Sequence, residues 1–417
     1  MGGVQVSDIS IFSAVSYLVQ ILFLLLGAYY FVISIFSFIP RRESEPDDAR
    51  FRNYALLVAA HNEELVIENM VDSLKRLDYP EENYEIFVIA DNCSDRTAAI
   101  ARGAGATVFE RCDTRAAGKG FALEWMFDKI FKMDRKFDSV VVFDADNIAD
   151  RDFLRQINRQ HNKGARVVQG YIDSKNPGDS WISYSYSIAF WTVNRLFQQS
   201  RANLNLGCQL CGTGFSVDID VLKDIGWGAT CLTEDMEFTM KLALNDIKVG
   251  WANDAIVYDE KPLTLSQSWK QRVRWMQGHA DVACRFIWKL AQKALSEKKL
   301  APFDCAVYLL QPLRIITMGA ITAMAWLQTA YPDSNLVIWG MVPSGVWNFI
   351  VILQFCWTPF VLIVEKKISK KTLWGYLAYT VYTLTWVPIA VVGVMNKNKK
   401  EWFHTQHTRK ISINELQ

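Results

Sequence analysis

The chain lacks an excess of charge of either sign. Its 417 residues include 45 Lys and Arg against 44 Asp and Glu, which leaves a formal net charge of +1. A protein that binds nucleic acid usually presents a strong basic field, because it must neutralise phosphates. The balance of charge therefore indicates no nucleic-acid partner.

A cysteine framework is also missing. The eight cysteines are scattered, mostly in segments that we place in the cytosol or the membrane, so free thiols are expected rather than disulfides. Cys208 and Cys211 have the spacing of half a zinc site, but no second Cys or His pair stands nearby to complete it. No zinc site is predicted. Internal repeats and low-complexity segments are absent as well.

The composition fits neither an ordinary soluble enzyme nor a protein that lies wholly in the membrane. Hydrophobic residues make up 51% of the chain and charged residues 21%, and the mean hydropathy is +0.05. The first value is high for a soluble protein and the second is high for a membrane protein. One sizeable soluble domain with a few membrane helices is predicted.

The apolar run at 9–39 is long enough to span a bilayer, and it has neither a basic leader nor a small-residue cleavage site. It is interpreted as a retained membrane helix. Arg41 and Arg42, which follow it, place the next domain in the cytoplasm by the positive-inside rule.

Three apolar segments close the chain, at 303–330, 336–364 and 373–395. Gln311-Pro-Leu-Arg314 interrupts the first, and Glu365-Lys-Lys-Ile-Ser-Lys-Lys371 after the second predicts a cytoplasmic loop. Three full spans would place the basic tail outside. Pro388 allows a re-entrant or broken third segment instead, so a cytoplasmic tail is favoured.

Between the apolar ends, the pattern is α/β. Strands are predicted at 54–60, 84–90, 107–110, 138–143 and 166–171, with a strand or turn at 211–217 and helical spacing between them. This alternation predicts a mostly parallel sheet flanked by helices, whose ligands gather at the carboxyl ends of the strands. His61 to Glu64, Asp91 and Asp144 with Asp146 all fall at such ends.

Asp144-Ala-Asp146 places two carboxylates where both can reach one hard cation. Mg²⁺ prefers to be shared between carboxylates and substrate phosphates, so the pair suits a nucleotide diphosphate. Acidic loops at strand ends are common, however, and the pair alone is a weak signal. Lys119 could meet a phosphate, although its surroundings lack the spacing of a phosphate loop.

Asp235, in Thr233-Glu-Asp, is predicted at the start of a helix over 236–244. There the helix dipole favours the ionised carboxylate, which could accept a proton from a sugar hydroxyl. The simpler interpretation is helix capping, with Thr233 as the N-cap.

The run at 266–279 carries Gln271-Arg-Val-Arg274-Trp275 and is predicted to be helical to about residue 294. Its arginine can grip phosphate oxygens, and its indole can face a sugar ring. Taken alone, such a basic amphipathic run more often lies on a membrane surface.

Together these motifs resemble the membrane-embedded processive glycosyltransferases of family 2, which include the cellulose, chitin, hyaluronan and poly-N-acetylglucosamine synthases. The similarity covers nearly the whole chain. Asp91 matches the family's first aspartate, and Asp144 with Asp146 its Asp-x-Asp. Thr-Glu-Asp235 and Gln271-x-x-Arg274-Trp275 match its other two motifs. The resemblance implies a GT-A fold, Mg²⁺ or Mn²⁺, a UDP-sugar donor and inversion at the transferred sugar.

The resemblance also implies roles for individual residues. Asp235 would be the general base, with Glu234 beside it, and Arg274 would steady the diphosphate leaving group. The expected donor residues are Ala60, Asn62, Glu63, Asp91, Lys119, Asp144 and Arg274. The metal would lie on Asp144 and Asp146, chiefly on Asp146. The acceptor residues would be Gly212, Thr213, Gln271 and Trp275. A C-terminal gate would involve Trp402, Thr405 and His407.

The predicted organisation follows from these motifs and apolar segments. It comprises an N-terminal membrane helix (1–42), a cytoplasmic catalytic domain (43–262), amphipathic interface helices (263–300), C-terminal membrane or re-entrant helices (301–395) and a tail (396–417). Few spans are available for a polymer channel, so a homo-oligomer is one way to complete it.

The leading hypothesis is a synthase that polymerises a UDP-activated sugar into a capsular or extracellular polysaccharide and moves it across the membrane. The alternative is an enzyme that adds one sugar to a membrane lipid, as ceramide glucosyltransferases do. A third hypothesis, a transporter or sugar-binding partner without catalysis, leaves the acidic and Arg-Trp motifs unexplained.

Overall fold

The computed structural model describes residues 11–39, 50–228, 230–331 and 344–399, together with residues 411 and 415. Within them, residues 54–259 form an α/β domain. The three predicted gate residues, Trp402, Thr405 and His407, lie outside the described residues.

The strands of the α/β domain form one sheet. They are β1 (Tyr54–Ala60), β2 (Tyr84–Asp91), β3 (Thr107–Arg111), β4 (Ser139–Asp144), β5 (Ile148–Ala149), β6 (Val167–Ser174), β7 (Phe215–Asp218) and β8 (Val249–Asp259). Their order is β3-β2-β1-β4-β7-β6-β8-β5. The five predicted strands are confirmed, whereas β5 and β8 were not predicted.

The sheet is mostly parallel, as expected, with two exceptions. Strands β1 to β4 pair in parallel, and so do β6 and β8. Strand β7 runs antiparallel between β4 and β6, and β5 runs antiparallel to β8. Because β7 is reversed, its amino end lies at the same edge of the sheet as the carboxyl ends of β1, β2, β4 and β8. This edge carries the candidate site.

Helices cover both faces of the sheet and continue beyond it. In the α/β domain they are α2 (Ile67–Lys75), α3 (Thr97–Gly103), α4 (Lys119–Ile130), α5 (Phe153–Asn162), α6 (Trp181–Val193), α7 (Ser200–Asn203), α8 (Ile219–Ile225) and α9 (Glu234–Leu244). A π-helical turn, Asn194–Gln199, joins α6 to α7. The remaining helices are α1 (Ile11–Ile35), α10 (Leu265–Glu297), α11 (Leu300–Leu309), α12 (Gln311–Ala330), α13 (Ser344–Val364), α14 (Lys370–Leu384) and α15 (Trp386–Met395).

The central strand β1 contributes to a core on each face of the sheet. Ala55 and Leu57 pack in one cluster with α4, and Leu56 and Val58 pack in the other with α2. Successive side chains of a strand point to opposite faces, so an uninterrupted apolar run fits a strand that is covered on both sides.

Two described helical segments are long and apolar enough to cross a membrane, 14–38 and 370–395. A third span is obtained if α11 and α12 count as one, although they are bent by 52°. The break lies where Gln311-Pro-Leu-Arg314 was expected to interrupt the segment.

The segment α14–α15 contacts the α/β domain and α10 along its length. A Cβ on Gly375, near its start, would meet the ring of Tyr184 in α6. At its far end, the Gln277 side chain of α10 donates to the carbonyl of Asn396 at 3.2 Å. Both ends of this apolar segment therefore lie against the rest of the protein.

The turn between α13 and α14 is bound to the α/β domain by charged groups. Glu365 accepts hydrogen bonds from Tyr171, at 2.8 Å, and from Arg195. Lys367 forms an ion pair with Asp173 at 2.7 Å. This turn therefore lies directly against the α/β domain.

Candidate active site

The loops after β1 and β2 form one unit at the active edge. Asn62 and Asn92 both take a positive φ, of 56° and 52°, which turns the chain sharply after each strand. The Asn62 side-chain oxygen accepts a hydrogen bond from the backbone N–H of Ser94 at 2.8 Å, and the N–H of Glu63 donates to Thr97 Oγ1 at 2.8 Å. The carbonyl of Ala60 accepts from the Cys93 thiol at 3.5 Å. The expected donor residues of these loops are thus held together.

Asp91 is only 4% exposed and is engaged by the protein itself. Its carboxylate pairs with Arg111 at 2.6 Å and accepts from the backbone N–H of Gly118 at 3.3 Å. Arg111 also donates to the carbonyl of Ala116 at 2.8 Å. Asp91 therefore fixes the loop that leads into Lys119. The sequence analysis missed Arg111, which lies 20 residues away and belongs to no motif.

Lys119 links two parts of the site. Its ammonium group donates to the carboxylate of Asp144 and, at 2.6 Å, to the carbonyl of Gly212. Burial acts to lower the pKa of Lys119, but the carboxylates of Asp144 and Glu234 raise it overall. The lysine is therefore charged, and it joins the Asp144-Ala-Asp146 motif to the loop at Gly212.

The Asp144 loop is held by the strand that follows the acceptor loop. Thr213 accepts a hydrogen bond from the backbone N–H of Asp144 at 3.1 Å and donates to the side chain of Asn147. Gly214 has a φ of 61°, and a Cβ there would lie 2.6 Å from Val257. Only glycine fits this approach.

Asp146 is 5% exposed, and its Oδ2 accepts from the backbone N–H of Glu260 at 3.1 Å. Asp259 lies beside it: burial raises the pKa of Asp259 to about 7, with Lys261 opposing the shift and Asp146 adding to it. Asp259 is the last residue of the unpredicted strand β8 and Glu260 follows it, so neither was predicted.

The Asp144 and Asp146 pair fits a divalent cation that is shared with a diphosphate. The Asp144 side chain is 39% exposed and already holds a cation, the Lys119 ammonium group. Among the described residues, no group of three or more His, Cys, Asp or Glu side chains could hold a metal ion. Phosphate oxygens and water would have to complete the coordination, which is usual for Mg²⁺.

Glu234 and Asp235 begin helix α9 at the centre of the site. The Asp235 carboxylate accepts from the backbone N–H of Met236 at 2.8 Å. Burial and the neighbouring Glu234 raise the pKa of Asp235 to about 7, and burial also raises the pKa of Glu234. Burial and Glu234 therefore oppose the ionised form that the helix dipole is expected to favour. Thr233 occupies the N-cap position, but its side chain makes no capping bond.

Helix α10 supplies the opposite wall. Gln271 accepts a hydrogen bond from the Tyr186 hydroxyl at 2.9 Å, and the Trp275 ring meets Tyr186 edge-on at a centroid distance of 6.0 Å. Arg274 interacts electrostatically with Glu234 and Asp235. Its guanidinium group has no hydrogen bond or ion pair within the described ranges, so it can receive an anion.

Two close approaches bring the motifs together. A Cβ on Gly212 would lie 3.5 Å from Oδ2 of Asp235, so the acceptor loop borders the candidate base. A Cβ on Gly278 of α10 would lie 2.5 Å from Cγ2 of Thr233. Helix α10 can therefore lie directly on the start of α9.

Comparison with known proteins gives a family. The model of the family described as "Glycosyltransferase like family 2" matches residues 52–278. The poly-beta-1,6-N-acetyl-D-glucosamine synthase of Staphylococcus epidermidis is 26% identical over 381 residues, which cover 88% of each chain. The beta-monoglucosyldiacylglycerol synthase of Synechocystis is 32% identical over 249 residues, which cover 54% of this chain and 47% of the relative.

A solved structure has the same fold over almost the entire chain. It is the mannosyltransferase PcManGT from Pyrobaculum calidifontis, in complex with GDP-Man and Mn²⁺. The alignment covers 93% of this chain and 99% of that one, with a TM-score of 0.60 and 16% identity. The sheet flanked by helices is thus of the GT-A type.

Proposed function

The chain belongs to family 2 of the glycosyltransferases, since the family model matches more than half of it, and we propose that it polymerises a sugar from a UDP-linked donor at the membrane. In this reaction the configuration at the anomeric carbon of the donor sugar is inverted, and the growing saccharide is the acceptor. Its main support is the position of Asp235, whose carboxylate borders the loop at Gly212 and interacts electrostatically with the cations Lys119 and Arg274.

The proton is the first requirement of the reaction. A sugar hydroxyl becomes a better nucleophile as its proton passes to a base, and a base works best when its pKa lies near the operating pH. Because burial and Glu234 raise the pKa of Asp235 to about 7, its carboxylate can accept that proton near neutrality. Attack opposite the leaving diphosphate inverts the anomeric carbon.

The leaving group is the second requirement. Departure of a nucleoside diphosphate concentrates negative charge, which preorganised cations stabilise. The Arg274 guanidinium group, which has no hydrogen bond or ion pair to the described residues, is free for this role. Lys119 can release Asp144 and bind phosphate oxygens instead. A Mg²⁺ or Mn²⁺ ion on Asp144 and Asp146 would supply further charge neutralisation of the diphosphate.

The acceptor side is formed by the loop at 211–214 and by α10. The Trp275 ring, braced by Tyr186, offers an apolar face for a sugar, and Gln271 offers an amide. Thr213 is already engaged with Asp144 and Asn147, so we assign it to positioning the loop.

Polymer synthesis is preferred because one polymer synthase is similar to this protein over most of the chain. The poly-N-acetylglucosamine synthase aligns along 88% of both chains, whereas the lipid glucosyltransferase aligns along 54% of this chain. The second candidate, transfer to a lipid, is favoured by the higher identity of that shorter match. It is also favoured by Arg314 of α12, which has no ion pair with any described residue.

We also propose that the α/β domain and the C-terminal tail are both cytoplasmic. The turn bearing Glu365 and Lys367 packs against the α/β domain. The far end of α14–α15 contacts α10, where Gln277 donates a hydrogen bond to Asn396. A third full crossing would carry Asn396 to the far side, away from Gln277.

The test uses the purified protein in nanodiscs with Mg²⁺ or Mn²⁺. UDP release is measured with UDP-glucose, UDP-N-acetylglucosamine, UDP-glucuronate and UDP-galactose, and the products are sized beside an Asp235→Asn control. A long product from one donor, absent in the control, supports the proposal. Short products confined to lipid select the second candidate, and UDP release that persists in Asp235→Asn removes Asp235 as the base.

A further inference from the structure

The bend between α11 and α12 contains an arginine that has no acidic partner among the described residues. Arg314 lies in the first turn of α12, with its guanidinium carbon 4.4 Å from the ring centroid of Tyr30 in α1. Within the described ranges its guanidinium group makes no hydrogen bond and no ion pair. Leu313, the residue before it, is 60% exposed and faces outward. Arg314 faces the other way, inward between the helices.

The charges around this bend do not balance. Arg201 and Asp304 form a two-point ion pair at 2.7 and 2.9 Å, and both are about 1% exposed. Tyr29 donates to the same carboxylate at 2.8 Å. Asp304 is thus engaged by both Arg201 and Tyr29, and among the described residues no carboxylate compensates the positive charge of Arg314. Such a charge is costly unless an anion joins it.

The bend is connected to the candidate active site through Tyr308 of α11. The Tyr308 ring packs on His279 and Phe197, at centroid distances of 5.0 and 5.1 Å. Its hydroxyl makes no hydrogen bond in the described part of the chain, and it lies close enough to Asp235 to interact with it electrostatically. Tyr308 therefore stands between the base and the bend.

An arginine near a helix end often has a simpler role, in which it extends to the membrane surface and anchors the helix. That role predicts an outward side chain. Arg314 instead lies over Tyr30, between α1 and α12. A cation–π contact can hold the guanidinium group there, but it does not neutralise the charge.

We propose that Arg314 binds the phosphate of a membrane lipid that serves as the sugar acceptor or carries it. The planar guanidinium group can donate two hydrogen bonds to a phosphate. The lipid chains would lie along the exposed apolar helices, and the part that receives the sugar would pass Tyr308 towards Asp235. This inference rests on the proposed function: in polymer synthesis the lipid would carry the growing saccharide, and in the second candidate it would accept the sugar itself.

The test measures lipid binding without any donor. The full-length protein in detergent is mixed with dioleoyl phosphatidic acid or with dioleoylglycerol, which lacks the phosphate, and native mass spectrometry counts the lipids retained. Arg314→Gln removes the charge, and Arg314→Lys keeps it. Lys289→Gln is the matched control, because Lys289 is an exposed cation of α10 that lies over Phe286.

The wild type is expected to prefer phosphatidic acid, and Arg314→Gln to weaken its binding about tenfold, as expected when a charged hydrogen bond is lost. Arg314→Lys should retain most of the binding, and Lys289→Gln all of it. Equal losses in Arg314→Gln and Lys289→Gln would overturn the proposal, because they would show only general attraction to a cationic surface. So would a wild type with no preference for the phosphate.

Two further measurements separate the remaining outcomes. Excess inorganic phosphate that displaces phosphatidic acid would overturn the lipid assignment in favour of a free anion, and failure to displace it supports the lipid. A photoactivatable phosphatidic acid should label peptides of residues 300–314 in the wild type, which needs no variant to fold. Labelling confined to other segments would contradict the site.

Failure of this inference can be told from failure of the proposed function. Turnover of a UDP-sugar by the wild type tests the function alone. Turnover without Arg314-dependent lipid binding removes only the lipid site, whereas lipid binding without turnover removes the transferase activity and leaves the site.

Discussion

At the scale of single residues, Asp235 sets the expected pH dependence of the reaction. The base must be deprotonated to act, and burial with Glu234 raises the pKa of Asp235 to about 7. We therefore expect kcat/KM for transfer to fall as the pH drops below about 7. Asp235→Asn should lower kcat by at least about 100-fold, the usual contribution of a positioned base. A pH–rate profile checks the first expectation, and a flat profile down to pH 5 would contradict it.

The same carboxyl group should affect stability. Because the pKa of Asp235 is raised on folding, the folded state binds its proton more tightly, and stability is lost as the pH rises from about 4 to 7. Asn at this position does not titrate. The melting temperature of Asp235→Asn relative to wild type should therefore be higher at pH 8 than at pH 5. Asp128→Asn, an exposed site on α4, serves as the control and should show no such trend.

Lys119 gives a third prediction, based on its pairing with Asp144 and Gly212. Without the ammonium group, Asp144 loses its internal cation. Lys119→Met should bind Mn²⁺ more tightly than wild type in the absence of nucleotide, yet transfer sugar more slowly, since a charge that faces the diphosphate is lost. Titration of Mn²⁺ followed by paramagnetic resonance measures the first effect. Lys129→Met, at the far end of the same helix, should leave both unchanged.

The location of single residues in the site could be predicted from the sequence where the motif lies beside one strand end or one helix start. Asp144 and Asp235 lie in the site because each sits next to its own strand end or helix start. The pairing of Asp91 with Arg111, or of Gln271 with Tyr186 85 residues away, depends on how distant elements meet, and no local pattern encodes it.

At the scale of elements, the contact of α10 with the start of α9 is sensitive to a small change in side-chain size. A Cβ on Gly278 would lie 2.5 Å from Thr233 Cγ2, so Gly278→Ala must push α10 away from Glu234 and Asp235. We expect kcat to fall markedly while the free energy of unfolding changes little, because Arg274 and Trp275 move with the helix. Gly103→Ala is the control, since a Cβ there meets nothing within 4 Å. Equal activity in the two variants would show that α10 tolerates the shift.

Elements with long apolar runs were predicted well, and interrupted ones were not. Strand β1 is apolar throughout and buried on both faces. Strand β8 carries Asn253 and Asp254, and its pairing with β6 shifts register between Gly170 and Tyr171, so its pattern matches no simple alternation. The reversal of β7, which brings the acceptor loop to the active edge, is likewise a property of the sheet and not of the strand.

At the scale of the whole molecule, the membrane arrangement yields a prediction. A tag after residue 417 should be on the same side as the α/β domain, because α14–α15 returns to α10 at Asn396. Protease added to inside-out vesicles should remove the tag, and protease added to right-side-out vesicles should not. Removal of the tag only from right-side-out vesicles would mean that α14–α15 crosses the membrane completely.

The general architecture was predictable because apolar length and strand–helix alternation act over whole segments. The docking of the membrane-level helices on the α/β domain was not, since it depends on single contacts such as Lys367 with Asp173.

That ion pair has a consequence for the order of synthesis. Asp173 also accepts a hydrogen bond from the Trp191 indole at 2.7 Å, and both belong to the part of the chain that leaves the ribosome first. Lys367 is made almost 200 residues later, after α13. We therefore expect the Asp173 carboxylate to lack this cation until the later helices have been made, so that this face of the α/β domain is completed last.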